Sequence, residues 1–155
     1  MNPTTNMAEI LKRDGVLVYK TRGVSMEPLF RQNRDLVIIR PCDGELKKYD
    51  VPLYYRPQKN SYVLHRIVAV REDEYLIRGD NTYTKEHVPK KDVVGVLTEF
   101  QRKGKKHSVN ERGYKLYSRF WVFIFPLKLA YHKARHYGGV TKKAIKKALK
   151  GGKST

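Results

Sequence analysis

Six short apolar runs, each bounded by turn formers, constrain the fold of this chain more than any other feature. They cover residues 16–20, 36–40, 51–55, 62–70, 75–78 and 93–100, and each is rich in Val, Ile, Leu or Tyr. Asn33-Arg34-Asp35, Asp43-Gly44, Lys59-Asn60-Ser61 and Gly79-Asp80-Asn81 punctuate them. Residues of the second kind favour tight turns, whereas β-branched and aromatic side chains suit a pleated, half-buried surface. Arg71-Glu72-Asp73-Glu74 reads as a hairpin loop between the fourth and fifth runs. Residues 7–13 suit a short helix that stops near Asp14-Gly15, where glycine accepts the left-handed cap. The expectation is a mostly β domain of several short strands.

Charge divides the 155 residues near position 100. Of 33 Lys and Arg, 16 lie in residues 101–155 beside a single acid, Glu111, so that segment carries +15 of the formal +18. Residues 1–100 are nearly balanced and read as the folded domain, with a core from about residue 15. Residues 101–155 read as a basic, aromatic, partly helical C-terminal extension. Within it, residues 101–113 read as a linker or long loop and residues 114–131 concentrate aromatics. Residues 141–150 set Ala144, Ile145, Ala148 and Leu149 on one helical stripe, with Thr141 as N-cap. Cys42 is the only cysteine, so no intrachain disulfide forms and a reducing compartment is permitted. Residues 1–13 lack the apolar run of a signal peptide or anchor helix. The most apolar segment, 120–130, is too short to span a bilayer and is interrupted by Pro126 and Lys128.

Two chemically capable side chains stand in distinctive contexts. Ser25 lies in Gly23-Val24-Ser25-Met26-Glu27-Pro28, and His65 follows in Val63-Leu64-His65-Arg66, ahead of Gly79-Asp80-Asn81. A serine hydroxyl is a weak nucleophile unless a base takes its proton during attack, and imidazole suits that task best. Taken singly, Ser25 is best read as a turn serine. His65 alone reads as a half-buried strand residue sharing a face with Val63, Ile67 and Ala69. Together, with Gly23 and Pro28 shaping the backbone around one hydroxyl, they read as nucleophile and general base. His87, His107, His132 and His136 lack metal-ligand spacing, and no Gly-rich phosphate loop is present, so neither metal nor cofactor is expected.

Four boxes in order resemble the signal peptidase clan, the serine endopeptidases related to bacterial and reticulum signal peptidases and to repressor autoproteases. Gly23-Val24-Ser25-Met26-Glu27-Pro28 is similar to its nucleophile box. Lys48-Tyr49-Asp50-Val51-Pro52-Leu53-Tyr54 is similar to its Gly-Asp-Val strand box, with Tyr49 where glycine is usual. Leu64-His65-Arg66-Ile67-Val68 is similar to its general-base box and Gly79-Asp80-Asn81-Thr82 to its Gly-Asp-Asn box. Histidine in place of lysine as base resembles the reticulum, archaeal and sporulation-type branch. The resemblance covers about residues 15–100. It implies a signal-peptidase-like or repressor-autoprotease-like β domain, a peptidase domain over residues 1–100. It further implies a peptide or preprotein substrate with small residues near the cut, met by the Ser25 N–H as oxyanion donor and by Met26. Gly23 offers no side-chain donor, so a second oxyanion donor must come from elsewhere.

The same resemblance bears on the acid that orients His65. In bacterial relatives the aspartate of the Gly-Asp-Asn box pairs with the basic residue after the base, here Arg66. Histidine-based relatives use an acid about six residues further on, here Glu86. Glu86 is therefore read as the orienter and Asp80 as the structural partner of Arg66, with Gly79 and Asn81 shaping the turn. The reverse assignment stays open, as does a solvated loop acid at Glu86.

Two other functions are weighed. Self-cleavage, as in the repressor branch, fits poorly with His65, the lack of an Ala-Gly bond before Ser25 and the few residues there. A non-catalytic basic β protein binding membrane or nucleic acid is the other. For residues 114–150 an anionic membrane surface is the favoured partner over nucleic acid, because the aromatics at 120–125 are consecutive and mixed with Val and Ile. Simple packing of residues 120–129 on the β domain is the third option. Peripheral membrane association is the expected localisation, and a cytosolic peptide-maturation protease fits as well.

Overall fold

The computed structural model describes residues 7–132 and 134. Among them lie nine strands: β1 Leu17–Lys20, β2 Leu36–Arg40, β3 Pro52–Arg56, β4 Ser61–Leu64, β5 Arg66–Val70, β6 Glu74–Arg78, β7 Glu86–Pro89, β8 Val93–Arg102 and β9 Lys105–Ser108. Helix α1 spans Met7–Asp14 and α2 spans Arg112–Phe123. The larger antiparallel sheet runs β1-β2-β8-β3-β4 with β9 on β8, and the smaller runs β5-β6-β7. The protein is therefore mostly β, as its punctuated apolar runs imply. No helix among the described residues is long and apolar enough to cross a membrane.

Each sheet closes over its own apolar cluster, and β3 stands between the two. Leu53 joins Leu17, Phe30, Ile39 and Phe100 in the first cluster. Its neighbour Tyr54 joins Ile67, Tyr75 and Ile77 in the second. Successive side chains of a strand point to opposite faces, so one strand walls both cores. Helix α1 adds Leu11 to the first cluster, and the Gly15 N–H caps it by donating to Leu11 O at 3.0 Å, with φ +67°.

Three expectations are corrected. Residues 62–70 are not one strand. The β3–β4 ladder ends at the pair Leu53–Leu64, and the β5–β6 ladder begins at Arg66–Arg78, so the chain changes sheet at His65. The crossing is held from the side, since Ile67 N–H donates to Asp50 O at 2.8 Å and Tyr49 N–H to Ile67 O at 2.9 Å. His65 thus shares no strand face with Val63, Ile67 and Ala69. Residues 101–113 are no linker, because β8 continues to Arg102 and returns as β9 through Lys103-Gly104, both at positive φ. That is the conformation of a two-residue hairpin turn whose twist matches its strands. Lastly, Glu86 lies on β7 opposite Ile77, not in a loop.

Folding does not stop where the charge balance changes. The first compact unit runs to Val122 and includes β9 and most of α2, and the second is Phe123–Thr155. In that second unit residues 125–132 are helical. The stripe expected at residues 141–150, its cap Thr141 and His136 lie outside the described residues.

Gly95 on β8 tests how closely α1 and the sheet pack. A Cβ there would stand 2.5 Å from Leu11 Cδ2, 2.8 Å from the Arg40 carbonyl oxygen and 2.8 Å from Ile39 Cγ2. The Arg40 oxygen belongs to the backbone and cannot swing aside. Gly95→Ala is expected to lower the unfolding free energy by about 1–3 kcal/mol. The measurement is a urea titration, read as a lower midpoint with an unchanged slope.

Candidate active site

Ser25 sits in the turn that follows β1. Gly23 holds φ +78°, Glu27 N–H donates to Val24 O at 3.1 Å, and Phe30 N–H donates to Met26 O at 3.0 Å. Met26, Leu29 and Phe30 are buried in the first cluster, which anchors the turn and leaves Ser25 half-buried beside a groove. That groove, of about 690 Å³, is lined by Tyr19 and Lys20 of β1, Tyr62 and Val63 of β4, Ser25 and His65 among others. β1 and β4 end the main strand path of the larger sheet, and β9 is a further edge strand on β8. The sheet therefore curls until the free edges of β1 and β4 face one groove.

The Gly79-Asp80-Asn81 turn joins the serine to the histidine. Asn81 N–H donates to Ser25 O at 2.8 Å, and Asn81 Nδ2 donates to Val24 O at 3.2 Å. A Cβ on Gly79 would lie 2.6 Å from Ser25 O and 3.0 Å from His65 Nε2. Glycine at 79 is thus what lets the Ser25 backbone and the Nε2 edge of the imidazole approach one point. No hydrogen bond links Ser25 Oγ directly to His65 among the described residues.

His65 is 5% exposed and is held from its other edge. Nδ1 stands 3.1 Å from Glu86 Oε1 and 3.3 Å from Tyr54 OH. The other Glu86 oxygen accepts from Arg56 Nη2, which also reaches Tyr54 OH at 3.4 Å. A carboxylate only accepts, so Nδ1 carries the proton of the neutral ring and Nε2 is left as the free base. Burial pushes the imidazole below its ordinary pKa, Glu86 pulls it upward, and Arg56 adds to the downward push. The ring is consequently neutral at neutral pH, as proton abstraction requires.

Asp80 hydrogen-bonds Arg66 and acts on His65 only through its charge, as a lesser upward pull. Its two oxygens accept from Arg66 Nε and Nη2, each at 2.8 Å, and Arg66 is 0% exposed. Of the eight residues singled out in sequence, Ser25, His65, Glu86, Gly79 and Asn81 come together, with Met26 lining the groove. Arg66 and Asp80 form a separate pair behind them. Tyr49, where the resemblance expects glycine, holds φ +84°, a conformation that glycine adopts without strain. Cys42 is no rival nucleophile, since burial and the nearby Asp50 and Asp43 push its thiol up to about 11. His87 and His107 each bond one carboxylate at the surface, Glu74 at 2.9 Å and Glu111 at 3.1 Å.

Several contributors escaped the sequence. Tyr54 and Arg56 are two apart on β3, so strand alternation alone places them on one face. Tyr114, Tyr117, Ser118 and Trp121 follow i, i+3, i+4, i+7 spacing, which makes one helix face. No protein-family profile matches the chain, and neither does any curated protein.

The network dictates a pH response. Unfolded, His65 titrates near about 6.5, and the folded ring titrates lower. The stability contributed by the neutral ring is present above the unfolded value and is lost as pH falls through the folded one. An NMR titration of the His65 ring should therefore give a midpoint below that of a free imidazole. Glu86→Gln should lower it further, because the upward influence is gone. A midpoint unchanged by Glu86→Gln would contradict the placement of that carboxylate.

Proposed function

We propose that this protein is a serine endopeptidase of signal-peptidase type, with a signal-peptidase-like β fold, that removes leader or signal segments from peptides. The observation that carries this reading is that the Ser25 carbonyl and His65 Nε2 both approach Gly79 while the two residues line one open groove, with Nδ1 held by Glu86. Ser25 Oγ attacks the scissile carbonyl while Nε2 takes its proton. The imidazolium then protonates the departing amine, and the neutral ring activates the water that releases the acyl group. Glu86 keeps the proton on Nδ1 and stabilises the imidazolium formed in each step. The Ser25 N–H is the first oxyanion donor. The free edges of β1 and β4 offer unpaired backbone groups on which an extended peptide can be laid as an added strand.

Cleavage of a synthetic leader peptide tests the assignment. Ser25→Ala and His65→Ala should each lower kcat/KM by about 10³-fold or more. If both variants cut as fast as the parent, the nucleophile and base are misassigned.

For the partner of the C-terminal segment, α2 narrows the choice. Tyr114, Tyr117 and Trp121 are half-buried and engaged within the fold, whereas Leu116, Phe120 and Phe123 are 71%, 51% and 80% exposed. These three recur at i, i+4, i+7 beside Lys115 and Arg119, the pattern of a helix lying in the headgroup region of an anionic membrane. Sedimentation with vesicles should show binding to anionic but not to zwitterionic lipid. Phe120→Ser should weaken it at a salt concentration that screens the lysines. Equal recovery of parent and variant with anionic vesicles would remove this surface.

A further inference from the structure

We propose that helix α2, which lies beyond the region of family resemblance, is a positioning element of the candidate active site, acting through Ser118, Tyr117 and Trp121. This inference rests on the peptidase reading. The argument begins with the buried guanidinium of Arg66, next in the chain to His65. Two of its donors are taken by Asp80, at 2.8 Å each. Among the described residues Nη1 donates to Tyr49 O at 3.1 Å, Tyr114 OH at 3.3 Å and Ser118 Oγ at 2.8 Å, and two of these acceptors belong to α2. The rings of Tyr114 and Tyr117 lie 5.6 and 5.7 Å from the guanidinium carbon, within cation–π range.

The same helix grips Asp80 twice more. Tyr117 OH donates to Asp80 Oδ2 at 3.1 Å, and Trp121 Nε1 donates to the Asp80 carbonyl oxygen at 2.7 Å. That carbonyl belongs to the turn whose previous residue, Gly79, abuts His65 Nε2. The next residue, Asn81, binds the Ser25 carbonyl. Helix α2 thus fixes the chain neighbour of the base and the turn that spaces the base from the nucleophile. None of these bonds is made to Ser25 or His65 themselves. Trp121 and Tyr117 stack at 5.6 Å, so the two donors to Asp80 are themselves held together.

Trp121→Phe keeps an aromatic ring and deletes the donor to the turn. Ser118→Ala deletes an acceptor of Arg66, and Tyr117→Phe deletes only the hydroxyl on Asp80. Each should lower kcat for leader-peptide cleavage about 10-fold or more with KM changed less than about two-fold. Each should also move the NMR titration midpoint of His65, which is faced by Tyr54, Arg56, Glu86 and Asp80, by about half a pH unit. Val70→Ala, at the exposed end of β5, should change neither. Tyr117→Phe removes the least volume and carries the test if either other variant fails to fold. Unchanged His65 midpoints in the folded inner-face variants overturn the proposal. A parent that cuts no leader peptide defeats the peptidase reading instead, and the titration still decides whether α2 positions His65.

Discussion

The buried pair of Arg66 and Asp80 is the contact on which the rest of the arrangement depends. Withdrawing two charges from water costs several kcal/mol per ion, repaid only when geometry is good and every remaining donor is met. Here the pairing is two-pronged at 2.8 Å, and Tyr49, Tyr114 and Ser118 accept from the remaining guanidinium nitrogen. Burial alone would lower the Arg66 pKa, but Asp80 outweighs it and holds the guanidinium charged. Such a pair tolerates little rearrangement, because losing either member strands a buried charge at about 3–5 kcal/mol. It therefore locks together three stretches distant in the chain, β5, the Gly79-Asp80-Asn81 turn and α2.

His65 gains its setting from the change of sheet. A residue inside a regular ladder would present its ring to one face only. At the junction of β4 and β5 the imidazole reaches Glu86 of β7 on one edge and approaches Gly79, beside the Ser25 carbonyl, on the other. The crossing leaves two β surfaces, each with its own apolar cluster, and β3 serves both. Tyr54 and Arg56, on that shared strand, extend the support of Glu86. Strands hold Glu86 and the wall beside His65, while a turn carries Ser25. In this way the orienting groups are fixed and the groove stays open between β1 and β4.

Much of this was legible in the linear chain. Helix α1 and strands β1, β2, β3, β6 and β8 fall where apolar runs and turn formers put them, because burial of alternate side chains leaves a local trace. Glu86 stands against His65 and Asp80 against Arg66, one of the two divisions that the resemblance left open. β7 and β9 left no such trace. Glu86-His87-Val88-Pro89 and Lys105-Lys106-His107-Ser108 are polar and short, and they are strands because a neighbour offers an unpaired edge. The break at His65 was equally silent, since Leu64-His65-Arg66-Ile67 contains no glycine or proline.

Local chemistry in the chain sufficed for the β character, the basic C-terminal segment and the choice of hydroxyl and imidazole as a pair worth joining. These follow from side-chain size, charge and backbone preference, which act over a few residues. The meeting of Ser25 with His65 across Gly79, the capture of Glu86 by the ring and the sealing of Arg66 by an aromatic helix belong to the folded state alone. Each depends on groups tens of residues apart, whose approach is governed by how two sheets and a helix exclude water from the same charges.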